Sequence, residues 1–142
     1  MSESAPLNVL LVEDDDVAAE AVVRSMQRAG IPCSVTWVED GQAALEVLRG
    51  QDTKHHVPRP RLILLDLNMP RMNGFEFLEA ARADPRLKDE VVFVLTTSAA
   101  DTDRSRAYNE NVAGYMVKSA VGPQFAKLTQ LLDGYRRAVQ LP

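Results

Sequence analysis

Five short aliphatic runs recur along this chain, and each is followed by a segment whose apolar residues fall at helical spacing. The runs are 7–12 (LNVLLV), 34–38 (SVTWV), 61–66 (RLILLD), 90–95 (EVVFVL) and 113–117 (AGYMV). Runs of that length with little polar alternation are strands covered on both faces. The intervening segments read as helices. Over 15–29 a face of Ala18, Ala21, Val22, Ser25, Met26 and Ala29 follows an N-cap at Asp15 or Asp16, and Gly30 and Pro32 end it. Asp40 caps a second helix with Ala44, Leu45 and Leu48 inward and Gly50 at its end. Asn73 caps a third, carrying Phe77, Leu78 and Ala81 and stopped near Pro85. The segment 101–111 is a marginal helix, with only Ala107 and Tyr108 as core candidates. Pro123 suits the first position of the last helix, which shows Phe125, Leu128, Leu131, Leu132, Tyr135, Ala138 and Val139. The polar stretch 51–60, with two prolines, is a loop.

Alternating strands and helices imply an α/β fold with a parallel sheet sandwiched between helices, and right-handed crossovers leave few topologies. One of these has strand order 2-1-3-4-5, with strands one and three adjacent and a ligand crevice at their carboxyl ends. At 142 residues the chain suits one domain, expected over 7–140 after a disordered start at 1–6. The net charge of −4 has no basic stripe within it, which argues against nucleic-acid binding. No signal peptide or membrane-length apolar run is visible, so a cytoplasmic protein is expected. Cys33 is the only cysteine, which excludes an intramolecular disulfide. Cys33 and Trp37 are expected to pack around the second strand.

The expected strand ends carry a consistent chemistry. The first ends in Glu13, Asp14 and Asp15 and the third in Asp66. If these strands are neighbours, several carboxylates share one crevice and repel, unless a divalent cation lies among them. Few, hard oxygen ligands suit Mg²⁺, and Asn68 could add a backbone carbonyl. Thr96, Thr97 and Ser98 end the fourth strand and Lys118 the fifth. Carboxylates, a hydroxyl and an ammonium around one point can form and stabilise an aspartyl phosphate. Singly, each has a plain reading as a cap, a turn residue or a surface lysine. Their joint occurrence at four strand ends favours function.

The runs LLVEDD (10–15), LILLDLNMPRMNGFEFL (62–78), VLTTSA (94–99) and GYMVKS (114–119) resemble the receiver domains of two-component response regulators. The resemblance covers nearly the whole chain and implies a flavodoxin-like, doubly wound, five-stranded sheet with five helices, as in chemotaxis receivers. By position, Asp66 resembles the phosphoacceptor, Asp14 the direct metal ligand, Glu13 its acidic partner, and Asn68 the carbonyl ligand. Thr96 resembles the switch hydroxyl, Lys118 the active-site lysine, and Tyr115 the aromatic residue that rotates inward with Thr96. The family usually has proline after the lysine, often with a cis bond; Ser119 stands there, and the sequence leaves that bond open. The long loop 51–60, the LTTSAADTD run and the tail Leu141-Pro142 resemble small response regulators that partner bacterial phytochromes.

The resemblance implies a phosphoacceptor signalling protein that takes its phosphoryl group from a sensor histidine kinase and catalyses its own phosphotransfer and dephosphorylation. No output domain is expected, so altered protein–protein binding would carry the signal through the weakly apolar fourth helix and the strand after it. A homodimer could form through the last helix, where Leu131, Tyr135 and Ala138 extend the apolar stripe, and through the face of helix four, strand five and helix five. Arg136 and Arg137 suit a helix C-terminus, and His55 and His56 lack partners for a metal set. Two rivals are weighed. Haloacid-dehalogenase-type phosphatases use a second Asp two residues after the nucleophile, where Asn68 stands here. A phosphorylation-independent receiver-fold binding module would lack the full residue set that this chain has.

Overall fold

The structure, a computed structural model, describes residues 6–120 and 125–142. The expectations for Pro123 and for most of the N-terminal stretch lie outside these residues. The chain runs β1 (Leu7–Val12), α1 (Asp16–Arg28), β2 (Cys33–Val38), α2 (Gly41–Leu48), β3 (Arg61–Leu65), α3 (Gly74–Ala83), β4 (Val92–Thr96), α4 (Asp101–Asn109), β5 (Gly114–Val117) and α5 (Ala126–Ala138). All strands are parallel, in the order β2-β1-β3-β4-β5.

Successive residues of a strand point to opposite faces, and the two faces have separate cores. Leu10, Val12, Ile63, Leu65, Val92 and Val94 pack with residues of α2 and α3 and with Ala107 of α4. Val9, Leu11, Leu62, Leu64, Phe93 and Leu95 pack with Ala19, Val22 and Met26 of α1 and Leu128 and Leu132 of α5. Hence the three central strands read as unbroken apolar runs. The edge strand β2 is only partly buried along most of its length.

Helix entries follow local chemistry. Asp15 caps α1 through the Val17 amide, and Asn73 forms a reciprocal capping box with Glu76. Gly30 and Gly50 take φ of 70° and 74° just past α1 and α2, the left-handed turn that glycine allows.

Several expectations change. The buried alanine of α1 is Ala19, whereas Ala29 is exposed. Glu90 lies outside β4 and is buried as an ion-pair partner. Tyr108 is 47% exposed, because one residue after Ala107 a helix has turned about 100° toward solvent. Helix α4 stops at Asn109, and Asn111 turns left-handed with φ 60°. The carbonyls of Glu110 and Asn111 accept from Arg82 of α3. Val139 is extended beyond α5 and exposed, and Tyr135 packs edge-on against Phe93 at 5.1 Å, so Tyr135 belongs to the core rather than to an outward stripe.

Candidate functional site

The crevice lies where β1 and β3 end side by side. The Asp66 amide donates to the Val12 carbonyl and the Glu13 amide to the Val38 carbonyl, each at 3.0 Å. Pairing therefore continues to the residues that bear the carboxylates. One oxygen from each of Glu13, Asp14 and Asp66 lies within 4.8 Å of the others. Glu13 and Asp66 are buried, and Asp14 faces solvent. Lys118 Nζ is 2.6 Å from Glu13 Oε1 and 4.0 Å from Asp66 Oδ2.

Burial pushes the Glu13 carboxyl up to about 7; the Lys118 hydrogen bond opposes this, and the nearby Asp66 charge adds to it. One ammonium thus faces two of the three acids. The donor set is all carboxylate oxygen, partly open to water, and it fits a hard divalent cation. Asp66 is oriented by its own loop, since the Leu67 amide donates to Oδ1 at 2.8 Å. Its other oxygen, Oδ2, faces Lys118. Gly74 follows from the same crowding: a Cβ there would lie 2.5 Å from the Asp66 carbonyl oxygen.

Thr96, wholly buried, ends β4 beside β3, and its hydroxyl accepts from the Ser98 amide at 3.3 Å. Tyr115 donates from its hydroxyl to the Ser98 carbonyl at 2.9 Å, and burial pushes that hydroxyl's pKa up. The Ser98 hydroxyl donates to Asp103 at 2.6 Å, in the first turn of α4. Lys118 opens a 3-10 turn over Lys118–Ala120. Among the described residues the only cis peptide bond is Arg59-Pro60, so the Lys118–Ser119 bond is trans and the lysine still reaches the acids.

Glu13, Asp14, Asp66 and Lys118 are thus brought together. Asn68 is exposed in the β3–α3 loop, and His55 pairs with Asp52 in the loop before β3. Two neighbours escape sequence reasoning, and a third, Ser98, is read there only as a hydroxyl at the end of the fourth strand. Trp37, expected as packing, is 36% exposed and donates from Nε1 to the Glu13 carbonyl. Asp40, read only as a cap, also holds Arg71. Ser98 joins Thr96, Tyr115 and α4. The cap pattern marks Asp40, but no local pattern marks its pairing with Arg71, 31 residues away.

Sheet order and acidic crevice together define a response-regulator receiver. The family model described as the response regulator receiver domain matches residues 9–132, and the chain belongs to this family. It is similar to the response regulator Rcp1 of Synechocystis, at 35% identity over 92% of this chain and 88% of that protein. It is also similar to the probable methanogenesis regulatory protein FilR2 of Methanothrix harundinacea, at 39% over 80% of this chain and 72% of that protein. The crystal structure of the Mn²⁺-bound form of Rcp1 matches with a TM-score of 0.83, covering 96% of this chain and 99% of that one. The phosphorylated cyanobacterial phytochrome response regulator RcpA matches at 33% identity and a TM-score of 0.80, covering 97% and 99%. Among the described residues, no helix is long and apolar enough to cross a membrane.

Proposed function

We propose that Asp66 is the phosphoacceptor of this response regulator, and that a sensor histidine kinase is the donor. The observation that carries the reading is the convergence of three carboxylates within 4.8 Å beside the Lys118 ammonium. With Oδ1 engaged by the Leu67 amide, Asp66 Oδ2 is the oxygen available for attack. It forms a P–O bond as the P–N bond of a phosphohistidine breaks, and the imidazole nitrogen keeps the bonding pair and is protonated. Glu13, Asp14 and Asp66, with the Asn68 carbonyl, would hold Mg²⁺. A cation there supplies neutralising charge for the phosphoryl oxygens. Lys118 supplies a second positive charge, shifting from Glu13 toward the new phosphoryl group.

Thr96 donates to a phosphoryl oxygen. Its rotation removes the acceptor of the Ser98 amide, and through Ser98 the change reaches Tyr115 and α4. That coupling carries the signal to a protein partner, and water later returns the site by hydrolysing the acyl phosphate. The likeness to the phytochrome response regulator RcpA supports a bacterial phytochrome as the kinase, and the reading places the protein in the cytoplasm beside it. Leu131 and Val139, each 40% exposed on and just past α5, and the exposed Ala138 between them offer apolar surface for a homodimer. A concentration-independent monomer mass in sedimentation removes the dimer.

The test is intact-protein mass after incubation with Mg²⁺ and acetyl phosphate. One phosphoryl addition is expected in wild type, none in Asp66→Asn, and none without the metal. No addition in wild type, with a histidine-kinase donor also failing, would overturn the reading in favour of a phosphorylation-independent binding module.

A further inference from the structure

The acidic crevice is braced by a part of the molecule that offers it no ligand: the end of β2 and the turn after it. The first brace is Trp37, whose indole Nε1 donates to the Glu13 carbonyl at 2.6 Å. The Glu13 amide already donates to the Val38 carbonyl at 3.0 Å. Both backbone groups of Glu13 are therefore held from β2, and Asp14 is the next residue.

The second brace begins at Asp40, a carboxylate with 1% exposure. Its Oδ1 caps α2 by accepting from the Ala43 amide at 2.8 Å. Its Oδ2 accepts from Arg71 Nε at 2.6 Å and from Nη2 of the same guanidinium. Arg71 lies in the loop that leads from Asp66 to α3 and has φ 61°. A residue with a Cβ stays in that region only where its surroundings hold it. Beside this pair the Gly41 amide donates to the Met72 carbonyl at 3.0 Å, and a Cβ on Gly41 would come within 2.8 Å of Met72 Cγ. The first turn of α2 and the loop are in direct contact. The Arg71 side chain is 69% exposed, so it does little packing of its own and serves mainly to tie the loop to a buried charge.

We infer that Trp37 and Asp40 are positioning residues for the cation site. Trp37 sets the backbone that carries Glu13 and Asp14, and Asp40, acting through Arg71, sets the loop that carries Asn68. The inference rests on the cation-site reading proposed above. Carboxylates that repel one another drift apart unless their backbone is held, and each degree of freedom removed beforehand is one that cation binding need not remove. Outer partners of this kind contribute about 10–100-fold to metal affinity.

Mn²⁺ affinity of the full chain, read from the free-ion EPR signal during titration, tests it. Trp37→Phe keeps an aromatic ring and removes only the donor. Asp40→Asn keeps an oxygen for the Ala43 amide and removes the charge that holds Arg71. Arg71→Ala breaks the same tie from its exposed side. Each is expected to weaken Mn²⁺ binding about tenfold; the melting temperature of the metal-free protein should stay nearly unchanged in Trp37→Phe and fall in Arg71→Ala, which leaves the buried Asp40 charge unpaired. Since Asp40 and Arg71 act as one unit, their double variant should lose no more than either single. An affinity within about twofold of wild type in Trp37→Phe or Asp40→Asn, with Asp14→Asn still abolishing binding, overturns the inference and leaves the cation site standing. If Asp14→Asn binds as tightly as wild type, the cation-site reading fails, and the inference falls with it.

Discussion

The two ends of the sheet are both charged, and they are built on opposite plans. At the end where the strands begin, the wholly buried Glu90 carboxylate accepts from Arg61 at 2.5 Å and from Arg59 at 2.9 Å. Arg61 also donates to the Val57 carbonyl, and Arg82 donates to the carbonyls of Lys88, Glu90, Glu110 and Asn111. Each of these four charges, Glu90, Arg59, Arg61 and Arg82, has a partner of opposite sign or a set of carbonyls. At the end where the strands finish, Glu13, Asp14 and Asp66 lie within 4.8 Å of one another, and one ammonium, Lys118, pairs with Glu13 at 2.6 Å and approaches Asp66 at 4.0 Å. Charge that is fully matched locks loops in place. Charge that is left unmatched costs stability by repulsion and suits a hard cation.

The comparison breaks first if the matched end proves unimportant. Glu90→Ala leaves two guanidinium groups facing a void and should destabilise by about 3 kcal/mol in urea unfolding. A loss below about 1 kcal/mol would mean that water replaces the carboxylate readily. Next comes the tightest packing at the other end. Gly74→Ala forces a methyl against the Asp66 carbonyl and should cost about 2 kcal/mol in the same assay, with phosphoryl uptake reduced as the loop shifts.

Asp66→Asn should have the opposite sign from Glu90→Ala. Relieving the repulsion among three clustered carboxylates should stabilise the metal-free protein, and added Mg²⁺ should raise the melting temperature of wild type more than that of the variant. Equal or lower stability of Asp66→Asn without metal would contradict the unmatched-charge account. The smallest effect is local. Ser98→Ala removes the hydroxyl that joins Asp103 to the β4–α4 loop, and should cost about 1 kcal/mol or less. It should appear as faster amide exchange confined to α4, because that helix buries only Ala107 among its described residues.

Much of the architecture is legible without coordinates because it is local. Five aliphatic runs mark the strands, and caps such as Asp15, Asp40 and Asn73 mark helix starts within a residue or two. Errors fall where one residue has two competing uses. Glu90 adjoins the apolar run of β4 and reads as its first residue, yet its side chain is claimed by arginines about 30 residues earlier. Tyr108 is large and aromatic, but its neighbour Ala107 takes the one inward position of that turn.

The order of elements and the chemistry at each strand end were set by the sequence alone, because each depends on residue type at fixed spacing along the chain. Which acids meet, which oxygen of Asp66 its own loop engages, how the cleft is braced and which atom Gly74 clears were decided only by the tertiary structure. Parallel pairing of β1 with β3 brings Asp14 and Asp66 together across some fifty residues. The Trp37 indole and the Asp40–Arg71 pair act across separations of 24 and 31 residues. Hydrogen bonds and charges act over a few ångströms of space, and distance along the chain does not register in them.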